Sequence, residues 1–224
     1  QALPLITWAG TGPTDTSAFA TVITPPGVTG NLSVSGTNLY YAVTSIREPL
    51  TWNTGNGVWD TSTQNWLDAA LAAATFVNRN DLVVFDDASG ATGNPTITLN
   101  SALSPVSATM MSTNHDYTLS GPGGIAGVGS LTLDVANTRT LTLAATNTYS
   151  GNTAINGGKL QLGAPNVFPV GTGKGSVTVN AGGTLDLNTF SAAINSLNGF
   201  GVVDTVAGGS PTLTVGTNNS DSIF

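Results

Sequence analysis

One histidine and no cysteine set the chemical limits of this 224-residue chain. A Ser-His-Asp relay would have to run through His115. That residue sits in Ser112-Thr113-Asn114-His115-Asp116, which reads as a polar surface turn ahead of a strand. A single imidazole without thiols excludes the usual zinc ligand sets, thiol catalysis and iron–sulfur clusters. The densest acidic group is Asp86-Asp87, with Arg79 and Asp81 nearby. Neighbouring residues on a strand point to opposite faces, so this pair shares a site only if it lies in a loop. Turn-forming hydrogen bonds from the carboxylates are expected there, ahead of calcium binding or catalysis. No catalytic residue, metal ligand or cofactor site is therefore assigned.

Two glycine-rich runs look like phosphate loops at first sight. Gly121-Pro122-Gly123-Gly124-Ile125-Ala126 fits a loose dinucleotide fingerprint, and Gly171-Thr172-Gly173-Lys174-Gly175-Ser176 a phosphate-binding loop. Both chemistries need a helix N-terminus behind the glycines. Strand-like sequence follows instead, so both runs read as chain corners. Trp52, Trp59 and Trp66 recur at intervals of seven among Gly, Asn and Thr. They are expected to stack as an aromatic cap, with a sugar-contacting platform as the alternative.

Charge narrows the partners. The net charge is −7, only 8% of residues are charged, and the five basic residues Arg47, Arg79, Arg139, Lys159 and Lys174 are scattered. No basic patch faces phosphates, so neither nucleic acid nor an anionic membrane surface is an expected partner. No run of 18 apolar residues exists to span a bilayer as a helix. Gln1-Ala2-Leu3-Pro4 has no basic leader character, as a mature exported chain would also lack it. A composition rich in Thr, Asn, Ser and Gly and poor in Lys and Glu points to an extracellular or bacterial cell-surface location.

The elements that must carry these residues are strands. Glu48 is the single glutamate, and only Leu67 to Ala74 has the composition for one or two helical turns. Elsewhere short aliphatic-x-aliphatic segments alternate with Gly, Asn and Pro, the signature of strands and turns. Leu32 to Tyr41 reads as a hairpin closing over Gly36. From residue 96 the pattern becomes regular: Leu131-Thr132-Leu133, Leu141-Thr142-Leu143, Lys159-Leu160-Gln161-Leu162, Val177-Thr178-Val179 and Thr184-Leu185-Asp186-Leu187. A period of two puts the aliphatics on one face and the polar residues on the other. Asn156-Gly157-Gly158 and Asn180-Ala181-Gly182-Gly183 hold the same place in two copies spaced about 25 residues apart, a period typical of solenoids. The expected architecture is all-β: a parallel β-helix, or β-solenoid, behind an aromatic-rich N-terminal β segment. Residues 1–50 form an N-terminal β segment or arm, 51–95 a Trp-rich cap region, 96–216 the solenoid repeats and 217–224 a tail.

The stretches "LTLAATNTYSGNTAINGGKLQLG" (Leu141 to Gly163) and "GSVTVNAGGTLDLN" (Gly175 to Asn188) carry a resemblance to a known family. They resemble the autotransporter-associated β-strand repeat, also called the passenger-associated transport repeat, of bacterial secreted proteins. Asn147-Thr148-Tyr149-Ser150-Gly151 followed by the Gly-Gly turn is its most specific part. "WNTGNGVWDTSTQNW" and "DLVVFDD" look like the segment that precedes such repeats. The resemblance covers about two-thirds of the chain. It implies a right-handed parallel β-helix, export, and a structural or adhesive role with no catalytic residues.

Three functions remain in order. The first is an extracellular structural solenoid whose copies assemble head to tail into a fibre or sheath. Leu3, Leu5, Ile6 and Trp8 at one end and Ile223 and Phe224 at the other are then the assembly residues, because uncapped strand edges pair. The second is a monomeric adhesin or autotransporter passenger fragment that binds glycans or a host surface, with Trp52, Trp59 and Trp66 as the candidate glycan contacts. The third is a polysaccharide-active β-helix enzyme.

Overall fold

The structure, a computed structural model, describes residues 2–17, 28–46, 48–87 and 90–224, with side chains for all of these except 2–4, 29 and 44–46. The chain divides into two units, Gln1–Glu48 and Pro49–Phe224. Among the described residues every regular element is a strand.

In the first unit Asn38–Ile46 is the middle strand of an antiparallel sheet, flanked by Ala2–Thr7 and Val28–Ser35. The expected hairpin over Gly36 is present. Ser35 pairs with Asn38, and Gly36 takes φ 60°, a conformation that costs glycine little. Leu39 and Tyr41 are its buried side chains.

The second unit is a β-solenoid of about six turns, as the alternation of aliphatic and polar residues predicts. One strand run stacks Leu50–Trp52, Leu82–Asp86, Ser107–Met111, Ser130–Leu133, the first part of Thr153–Leu162, the first part of Val177–Asp186, and Leu197–Gly199, all in parallel. A second run stacks Gly57–Trp59, Thr96–Leu99, Tyr117–Ser120, Thr140–Leu143, the later parts of the two long strands, and Val202–Asp204. Shorter pairs, Ala102–Leu103 with Gly124–Ile125 and Ala192–Ile194 with Leu213–Val215, mark a third run.

The register explains the core. Tyr117, Leu141, Leu160, Leu185 and Val203 form one column, and Leu119, Leu143 and Leu162 another. Leu133, Leu143, Ile155, Leu160, Leu162, Val177, Val179, Leu185 and Leu187 are all buried, as the repeat predicts. Each contributes roughly 1.5–3 kcal/mol through the apolar surface it hides. The polar partners at alternate positions are half-exposed or exposed along most strands, for example Thr132, Thr142 and Thr178.

Strand stacking begins upstream of residue 96. The Trp-rich stretch supplies the first coil, through Leu50–Trp52 and Gly57–Trp59. The stretch with helical composition is instead part of a small antiparallel sheet. Trp66–Leu67 pairs with both Leu50–Trp52 and Ala73–Ala74. The reason is local: the Asp68 carboxylate accepts hydrogen bonds from the N–H groups of Ala70 and Ala72 at 2.9 Å, which closes a turn, and Leu71 takes φ 61°. A short acidic side chain that captures nearby amides in this way competes with helix formation. The antiparallel pair covers the outer edge of Leu50–Trp52, so the first strand run is closed at its first rung.

Candidate functional surface

The three tryptophans lie inside the molecule. Trp52, Trp59 and Trp66 are each 0% exposed. The rings of Trp52 and Trp66 meet edge to face at 5.0 Å, those of Trp59 and Trp66 at 5.2 Å, and Phe76 closes on Trp59 at 5.2 Å. Phe85 packs against both Trp59 and Trp66. A sugar platform needs an open ring face, and here the faces are occupied by other rings. The spacing of seven reflects a cluster at the start of the stack, and burial closes Trp52, Trp59 and Trp66 to a glycan, against the expectation of a sugar contact there.

Asp87 and His115 belong to one turn assembly. The Asp87 carboxylate accepts hydrogen bonds from the Ser112 hydroxyl, from the N–H and hydroxyl of Thr113 at 2.6 and 2.7 Å, and from the Asn114 N–H at 3.1 Å. Burial pushes Asp87 up, but these donors prevail and hold it below the usual carboxylate range. The His115 ring lies 2.6 Å from the Gly93 carbonyl, and the backbone N–H of His115 donates to the Ser112 hydroxyl. The carboxylate thus orders the turn, as turn-forming chemistry predicts. Among the described residues no three His, Asp or Glu side chains gather as a metal site.

Sequence reasoning overlooked a set of interior polar side chains at the corners. Asn137, Asn147 and Asn195 are buried. The carboxamide of Asn147 accepts from Ile125 N–H at 2.8 Å and donates to the carbonyls of Ala145 and Val167. Asn195 accepts from Gly171 N–H and donates to the carbonyls of Gly171 and Lys174, pinning the glycine-rich run at 171–176 as a corner. A coil corner leaves backbone groups unpaired, and an amide that both donates and accepts can satisfy them. The available signal was the recurrence of Asn just outside the strands.

The motif at Asn147 to Gly151 gains a physical meaning. Asn147 ties neighbouring corners, and Tyr149 is buried with its phenol 2.6 Å from the Thr153 hydroxyl. Gly151 sits so close to the preceding coil that a Cβ would lie 2.3 Å from the Gly129 carbonyl oxygen. The Gly-Gly turns obey the same constraint: Gly157 stacks on Gly182 and Gly158 on Gly183, and a Cβ on Gly183 would lie 2.2 Å from the Ile155 oxygen.

Gly157, Gly158 and Gly182 line a surface trough of about 570 Å³. Its walls are Asn156 on one side and the column Thr140, Lys159 and Thr184 on the other. Asn156 accepts a hydrogen bond from the Asn180 carboxamide at 2.7 Å. Lys159 stands 3.5 Å from the carboxylate of Asp186, a residue with a fully buried side chain. Burial raises Asp186, but hydrogen bonds from Gln161, Asn188 and Val206, and the Lys159 charge, hold it below the usual carboxylate range.

The candidate assembly residues lie at the two chain ends. Leu5 and Ile6 are exposed on Ala2–Thr7, a strand already paired with Asn38–Ile46. Trp8 is half-buried, and the side chain of Leu3 is outside the described residues. At the other end Ile223 bridges in parallel to Asn198, and Gly199 N–H donates to its carbonyl at 2.9 Å. The tail thereby begins a further rung on its own solenoid. The side chains of Ile223 and Phe224 remain exposed, together with Phe200, Val202, Val206 and Val215 of the last coil.

Comparison with known proteins gives one relevant likeness. Over 110 residues, 49% of this chain, the sequence is 36% identical to the adhesin BmaC autotransporter of Brucella suis biovar 1 (strain 1330). The solenoid and this likeness fit an autotransporter passenger repeat family. The chain spans 3% of that relative's length. No family model and no solved structure matches. The autotransporter likeness implies an extracellular or cell-surface location, in agreement with the composition.

Proposed function

We propose that this chain is an adhesin-like passenger segment displayed on a bacterial surface, with the solenoid as a rigid support. The observation that carries the reading is a parallel stack built from the very residues of the repeat, in a chain with 36% identity over 110 residues to an autotransporter adhesin. The same likeness speaks for a non-enzymatic role over the polysaccharide-active alternative. The test is to display the folded chain on a non-adherent bacterium and count cells retained on host-cell monolayers and on glycan-coated surfaces. Retention above that of an unrelated displayed β-solenoid supports the reading. Equal retention overturns it.

Self-assembly is a second reading, favoured by one observation: Phe200, Val202, Ile223 and Phe224 are exposed together in the last coil, where a following rung would cover apolar surface. Electron microscopy of the purified chain and of a variant lacking residues 220–224 tests it. Fibres that vanish on truncation support strand addition through the tail. Fibres unaffected by truncation, or no fibres from the intact chain, overturn it.

A further inference from the structure

The trough at the Gly-Gly corner gathers around one concavity several polar side chains that the fold leaves unspent. Asn137, on the same lining, spends its amide on neighbouring backbone, as Asn147 and Asn195 do at other corners. By contrast, the hydroxyls of Thr138, Thr140 and Thr184, which line the trough, make no hydrogen bond to any described residue. Asn156 uses its carboxamide oxygen on Asn180, while its NH2 group donates to no described residue. A cluster of unspent donors and acceptors around one concavity is what a hydroxyl-bearing ligand requires.

Charge selects among such ligands. Lys159 is the one charged residue on the lining, and its ammonium is answered by Asp186 at 3.5 Å. The locally balanced charge offers little to a phosphate or a uronate and nothing to a cation. The floor of Gly157, Gly158 and Gly182 carries no side chains, so a flat ring can approach the peptide planes. Thr140, Lys159 and Thr184 occupy three successive rungs in register. With rungs about 4.8 Å apart, the wall is roughly 10 Å long, the reach of two linked sugar rings.

We propose that this trough is a binding site for a neutral saccharide, with Thr140, Thr184 and Asn156 as its hydrogen-bonding residues. The proposal rests on the adhesin reading and gives it a ligand class and a place on the molecule, away from the buried tryptophans.

The test uses the full chain and defined probes: cellobiose, lactose and N,N′-diacetylchitobiose as neutral disaccharides, and digalacturonic acid as the acidic one. Binding is read by calorimetry and saturation-transfer NMR. The double variant Thr140→Val/Thr184→Val keeps strand-compatible shapes while removing both hydroxyls, and Thr118→Val, outside the trough, is the control. The expected result is binding of at least one neutral disaccharide, weakened at least tenfold in the double variant and unchanged in the control. Thermal unfolding run in parallel should show that the double variant is folded. Should it unfold, Asn156→Ala takes its place with the same expectation. No binding of any neutral probe at millimolar concentration, stronger binding of the acidic probe, or equal binding by the folded variant would overturn the site. Cell retention is measured on the same variants. Retention by a chain that binds no sugar would leave the adhesin reading standing and remove only the trough.

Discussion

The phenol of Tyr149 and the hydroxyl of Thr153 share a hydrogen bond of 2.6 Å, with both side chains buried between coils. Thr153 holds the place that Leu131 holds on one side and Val177 on the other, so a polar atom stands in an aliphatic column. Removing only the phenol oxygen, in Tyr149→Phe, leaves that hydroxyl without its partner. The expected loss is about 1–3 kcal/mol in denaturant unfolding. Adding Thr153→Val should recover much of it. If the double variant is as unstable as the sum of the two single ones, the pair is not coupled.

The same tyrosine predicts an alkaline limit. Burial pushes its phenol up to about 12, with the Thr153 hydrogen bond pulling weakly the other way. Between the ordinary value of 10.0 and about 12 the unfolded chain gives up this proton and the folded chain keeps it. Stability must therefore fall as pH rises through that window. Thermal unfolding midpoints from pH 8 to 12 should decline more steeply in the native chain than in Tyr149→Phe.

The carboxylates set an acid limit of opposite sign. Asp87 and Asp186 are both held below the usual carboxylate range by their hydrogen-bond donors, against the effect of burial. Their contribution is complete above the unfolded value of 3.8 and is lost as pH falls through the lower folded values. Asp186 joins three coils through Gln161, Asn188 and Val206. Hydrogen exchange at low pH should open the last coils earlier than the centre of the stack. Simultaneous opening everywhere would contradict this.

Glycines separate into two kinds. Gly183→Ala places a Cβ 2.2 Å from a backbone oxygen of the coil below, while Gly171→Ala meets open space but keeps φ 92°. The first should cost at least about 2 kcal/mol and the second about 1 kcal/mol. Comparable unfolding midpoints for the two would refute the packing argument.

Core charge and surface histidine give the widest contrast. Leu160→Asp and Leu185→Asp each put an unpaired carboxylate among fully buried aliphatics and should abolish cooperative folding of the surrounding coils. His115→Ala should change stability by about 0.5 kcal/mol or less. Circular dichroism melts decide both, and a large loss on removing His115 would assign that turn a greater role.

The fold was legible because its dominant signal is a period of two repeated with glycine punctuation. Leu160, Leu162 and Leu185 read as inward from their neighbours alone. What escaped was decided between coils. Asp186 alternates with Leu185 and Leu187 and reads as exposed, yet Gln161 and the Val206 N–H close over it from adjacent rungs. Composition favoured helix at 67–74, and Asp68 together with pairing to Leu50–Trp52 overrode it. The tryptophans announced a cluster but not its depth, since exposure depends on Phe76 and Phe85 arriving from later in the chain. The trough was illegible for the same reason: its walls are residues 140, 159 and 184, brought together only by register.

The similar length of the coils after the first has a kinetic meaning. Asn156 meets Asn180, and Asn152 meets Ser176, each across 24 positions of chain. From Leu82 to Leu197 each new coil of the first strand run therefore closes a loop of similar size, with partners 25, 23, 22, 24 and 20 positions apart (Leu82 to Ser107, Ser107 to Ser130, Leu131 to Thr153, Thr153 to Val177, Val177 to Leu197), on a template already in place. Closure entropy grows only with the logarithm of loop length, so the penalty per coil is a constant that does not rise as the stack lengthens. Each coil repays that fixed penalty with the same aliphatic contacts, so stability and length increase together, one nearest-neighbour step at a time. An architecture of this kind can be extended to great reach without ever making folding slower per coil.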